Sequence, residues 1–131
     1  MIITGIVLAI IAALIHVYIF YMESIQWTAP KTRAVFGTTE DEARITKQLA
    51  FNQGFYNLFL ALLIFIGSIL YFSTSATTGL TLIFAGAGSM VAASLVLFFS
   101  NIELRSAALK QGLVPALGII ALSVGLLLKT T

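Results

Sequence analysis

Charge placement constrains this chain more than any motif does. No Asp, Glu, Lys or Arg occurs between Met1 and Glu23, between Lys47 and Glu103, or between Lys110 and Lys129. Uncharged apolar runs of this length suit hydrocarbon, where a helix satisfies every backbone polar group internally. Charged residues are only 9 % of the sequence, against roughly a quarter in a soluble domain. The chain therefore reads as one all-α integral membrane domain, a four-transmembrane-helix antiparallel bundle. No stretch remains for a soluble domain.

The expected spans are 2–27, 40–72, 80–99 and 106–128. Ile2 to Met22 would be about 31 Å long as a helix, close to the hydrocarbon thickness. That helix should continue to Trp27, because Pro30 disfavours helix in the residue before it. Tyr21 and Trp27 suit the headgroup level. Pro30 to Thr39 reads as a polar loop. Thr39-Glu40-Asp41-Glu42 fits a capping box, with three acids complementing the helix dipole. The helix it opens would be about 50 Å long, so its first turns, with Arg44 and Lys47, should project into water. Ser73 to Gly79 reads as an uncharged turn. On the third span Ala85, Gly88, Ser89 and Ala92 share a face, a small-residue stripe expected to pack inside the bundle or between subunits of a homodimer.

Basic residues set the orientation. Lys31, Arg33, Arg44, Lys47, Arg105 and Lys110 flank one end of the spans, and Lys129 alone flanks the other. The positive-inside rule then puts both charged connections in the cytoplasm and both termini outside the cell (plasma) membrane. A formal charge of +2 is accounted for by these flanks, so membrane lipids, and no nucleic acid, are the expected partners. The first apolar run lacks a preceding basic residue, so no cleavable signal peptide is expected. With no cysteine and one histidine, no metal site is expected, and no phosphate loop or nucleophile elbow implies a cofactor.

Polar side chains at membrane depth are costly unless partnered, so they mark the candidate site. His16, Glu23 and Trp27 share one stripe of the first helix. Asn52, Gln53, Tyr56 and Asn57 form a wide polar arc where the second span begins. Gln111 begins the fourth, and Pro115 withholds the N–H that would bond its carbonyl. All start from the charged side, where Asn101 and Glu103 are placed to cover them. Bland alternatives stand beside each: His16, Asn52, Gln53 and Asn57 as interhelical glue, Glu23 as an interfacial acid paired with Arg or Lys, Trp27 as an anchor. A binding or transport protein for a small amphipathic or lipid-like molecule is the leading function. A membrane enzyme with His16 and Glu23 as acid and base is the alternative, and a structural protein the third. Gln53-Gly54-x-x-Asn57 and Gln111-Gly112-x-x-Pro115 also suggest a parallel two-helix repeat.

Ala-x-x-His16, Glu23 and Trp27-x-x-Pro30, then Asn52-Gln53-Gly54-x-Tyr56-Asn57-x-Phe59-Leu60-Ala61, then Gln111-Gly112-x-x-Pro115-Ala116, resemble one known family over nearly the whole chain. It comprises small bacterial four-helix membrane proteins, catalogued as a domain of unknown function, number 1304 in its series. The resemblance implies a multi-pass membrane protein and carries no activity with it. Small multidrug-resistance exporters are similar in size but hold their working glutamate in mid-membrane, whereas Glu23 lies near a helix end. Membrane-associated glutathione-dependent enzymes share the helix count, and Arg44, Lys47 and Asn52 echo their second helix only loosely.

Overall fold

The computed structural model describes residues 1–130. The long apolar runs become four helices: α1 (Ile2–Phe20), which continues as a π-helical turn over Tyr21–Ile25, α3 (Glu40–Ser73), α4 (Ala76–Ser100) and α5 (Arg105–Thr130). A short helix, α2 (Pro30–Phe36), lies between α1 and α3. Around the bundle, α1 packs on α3 and α5, and α4 packs on the same two, so α3 and α5 sit diagonally. The core is built from small and branched residues, among them Ile6, Ala9 and Ala13 of α1, Ala61 and Ile64 of α3, Ile83 and Met90 of α4, and Leu122 of α5. Small side chains bring the helices close, which is how association gains energy where no hydrophobic effect operates.

Outward faces carry the larger apolar residues. Ile3, Val7, Ile11, Leu14 and Tyr18 line the exposed side of α1, and Leu113, Leu117, Ile120, Val124 and Leu127 that of α5. Phe59, Leu62, Ile66, Ile69 and Phe72 do the same on α3. Stripes this continuous would be unstable in water. Among the described residues four helices are long and apolar enough to cross a membrane, and this is a multi-pass membrane protein.

The capping box forms as expected: the Thr39 hydroxyl accepts from the Glu42 N–H while the Glu42 carboxylate accepts from the Thr39 N–H at 2.8 Å. The first helical segment ends at Ile25, two residues short of Trp27. Two further expectations are corrected. The loop expected from Pro30 to Thr39 contains α2, with Pro30 in its first turn and Gly37 ending it at φ 66°, a left-handed conformation that suits glycine. At seven residues that helix is too short to announce itself by periodicity. The stripe of Ala85, Gly88, Ser89 and Ala92, expected inside the bundle or between subunits, faces away from the bundle, which excludes the first of those places only. Ala85, Ser89 and Ala92 are exposed, and a Cβ added at Gly88 would meet nothing. Within the chain α4 packs through Gly79, Ile83, Gly86, Ala87, Met90 and Ser94 instead.

Candidate functional site

Two features occupy the charged end of the bundle, a bonded joint between α1 and α3 and a cleft between α1 and α5. The joint follows from the π-helical turn, whose extra residue shifts the side chains after it around the helix. Ser24 donates its hydroxyl to the Phe51 carbonyl at 2.8 Å, and Asn57 donates its amide to the Glu23 carboxyl at 2.8 Å. The same Asn57 amide reaches the Gln53 carbonyl at 3.3 Å. Gly54 permits this approach, because a Cβ there would strike the Ser24 hydroxyl. Beyond the turn, the Trp27 indole N–H donates to the Thr46 hydroxyl at 3.1 Å, and its ring lies against Phe36.

Glu23 is only 5 % exposed. Among the described residues the ion pairs are Arg33 with Glu40 and Arg44 with Asp41, so the amide of Asn57, rather than a basic group, holds this acid. His16 is buried one face-repeat earlier on α1, and its Nδ1–H donates to the Ala12 carbonyl at 2.9 Å. A carbonyl only accepts, so Nδ1 carries a hydrogen in this bond.

The cleft has a steric origin in α5. Along the half remote from the charges, α5 is held tightly to α1: a Cβ on Gly5 would overlap Leu122, one on Gly125 would overlap Ile2, and one on Gly118 would press on the Ala9 backbone at 3.3 Å. Nearer the charged end Gly112 meets Ser94 of α4 instead. Pro115, fully buried inside α5, lies between these contacts, and proline is where helices change direction. Near the charged end α5 is thus held close to α4 through Gly112, and a cleft of about 580 Å³ remains between α1, α2 and α5. Its apolar walls are Ile15, Ile19, Met22, Val35, Phe36 and Leu104. Its polar groups are Glu103, Ser106, Lys110 and Gln111, and Tyr18 stands at its edge. An adjoining hollow shares Val35, Phe36, Glu103 and Leu104 and adds Thr38, whose buried hydroxyl lacks a partner.

The residues singled out from sequence are therefore distributed over three places. Glu23, Asn57 and Trp27 form the joint, with His16 buried in the same α1 face. Gln111 lines the cleft. Asn52, Gln53 and Tyr56 are exposed on α3, Tyr56 to 68 %. Sequence reasoning did not assign Val35, Phe36, Ser106 or Lys110 to a site. Pro30 and Gly37, at the two ends of α2, were the signal that could have found the first two.

No curated protein and no solved structure matches the chain. A family model does match, over residues 10–123, which takes in the joint, the cleft and most of every span. The chain belongs to the family described as protein of unknown function (DUF1304).

Proposed function

We propose that this protein binds or transports a small amphipathic or lipid-like molecule, taken up in the cleft between α1 and α5. The supporting observation is the cleft itself. Its volume of about 580 Å³ is that of an ordinary small-molecule site, mostly apolar with a few convergent polar groups. Tyr18, at its edge, belongs to the outward stripe that meets lipid, so a membrane-dissolved molecule reaches the cleft sideways without crossing water. The alternative, an enzyme using His16 and Glu23, has no comparable support. Neither side chain lines the cleft, and each is engaged by its own hydrogen bond.

Native mass spectrometry of the protein purified in mild detergent tests the proposal. The unmodified chain should carry a non-covalent amphiphile. Ala107→Trp, which fills the cleft from the α5 wall, should lose that mass while keeping its helical circular dichroism. Equal retention by both proteins, or none by either, would refute the reading.

A further inference from the structure

The cleft holds two opposite charges that do not neutralise one another. Glu103 and Lys110 both line it, yet neither belongs to an ion pair among the described residues. Glu103 is fixed just ahead of α5, where its backbone N–H donates to the Asn101 side chain at 3.0 Å. Lys110 lies further along α5, towards the middle of the bundle, and Gln111 follows it. The Gln111 carbonyl has no N–H from Pro115 to accept, which leaves a backbone acceptor at the same depth. On the facing wall Met22 and Ile19 stand beside these groups, nearer the charged end, and Ile15 lies at the depth of Gln111.

From the charged end inward the α5 side of the cleft therefore presents an acid, then a base, then an uncharged acceptor, against an apolar wall of α1. We infer that the cleft selects a zwitterionic membrane lipid, one whose head carries an outer ammonium and an inner phosphate. The ammonium meets Glu103, the phosphate meets Lys110, the glycerol region lies beside Gln111, and a chain continues inward past Ile15. A purely anionic head would leave Glu103 facing negative charge. A headless diacylglycerol would leave both charges without a counterpart. This inference rests on the proposed binding function and adds the class of head group to it.

The test is competitive loading of the purified full-length protein with phosphatidylethanolamine, phosphatidylglycerol and diacylglycerol, read by native mass spectrometry. A charge-assisted contact corresponds to a preference of about tenfold, so the ethanolamine lipid should exceed the glycerol lipid by roughly that factor. Glu103→Gln should abolish the preference by raising retention of phosphatidylglycerol. Lys110→Gln should lower retention of both phospholipids relative to diacylglycerol. Both positions are exposed, and each readout is a ratio within one sample, so modest losses of stability do not confound it. Retention of all three lipids without preference, or a preference that Glu103→Gln leaves intact, would overturn the inference while leaving a binding cleft. Retention of none would overturn the binding reading itself.

Discussion

The Asn57 amide donates to the Glu23 carboxyl at 2.8 Å, tying a buried acid on α1 to the second polar turn of the α3 span. Among the described residues no basic side chain shares that duty. The acid depends on one amide, and that dependence is measurable. Asn57→Leu should destabilise the protein by about 1–3 kcal/mol, the usual cost of stranding a buried polar group. Asn57→Asp should cost more, since it replaces the donor with a second acid. Glu23→Gln keeps an acceptor for Asn57 and should cost least of the three. Thermal unfolding in one detergent ranks them; an equal ranking would mean that the bond contributes nothing.

Gly54 makes the same joint possible by steric means. Gly54→Ala places a methyl group on the Ser24 hydroxyl and should cost about 1–3 kcal/mol, as overpacking does. Ser24→Ala in the same chain should recover part of that loss, so the double mutant should be less unstable than the sum of the single ones. Gly88→Ala is the control, because nothing surrounds that position, and it should change stability by less than about 0.5 kcal/mol.

Much of the fold was legible because hydrophobic length and charge placement act locally. The spans, the capping box and the charged end could all be read from runs of residues. The rotation of each helix about its axis could not. Asn52, Gln53, Tyr56 and Asn57 form a wide polar arc, and only packing decides which part turns inward. Buried Ala50, Gly54 and Ala61 fix that rotation for α3, so Asn57 reaches α1 while Tyr56 faces out. The stripe on α4 lies outside the core for the same reason: its small residues are real, but Gly79, Gly86 and Ala87 supply the face that packs within the chain. The cleft was invisible because it depends on glycines that draw α1 and α5 together elsewhere. Only Pro115 and Gln111 hinted at it.

The start of α3 should behave as an independent local element. Thr39→Ala removes the hydroxyl that accepts from the Glu42 N–H at 3.3 Å, and loss of such a cap costs about 1 kcal/mol. Hydrogen exchange should accelerate over the first turns of α3 and stay unchanged in the spans. A uniform increase along the chain would instead mean that the cap supports the whole bundle.

Membrane orientation is tested with introduced cysteines, since the sequence has none of its own. A membrane-impermeant maleimide should label Thr77→Cys, in the exposed first turn of α4, in intact cells. Gly37→Cys, beyond α2 at the charged end, should label only after permeabilisation. The reverse pattern would invert the orientation that the basic residues imply.

Photocrosslinking tests most directly the claim that the α1–α5 cleft receives an amphiphile from the bilayer. A phospholipid with a diazirine in its acyl chain is incorporated with the purified protein into vesicles, irradiated, and its adducts located by peptide mass spectrometry. Adducts should concentrate at Ile15, Ile19 and Met22. Of these Ile19 and Met22 are buried from bulk lipid but line the cleft, and Ala107→Trp should suppress all three. Adducts confined to the outward residues, such as Leu62, Ile66 and Leu117, with Ile19 and Met22 unlabelled, would contradict that claim.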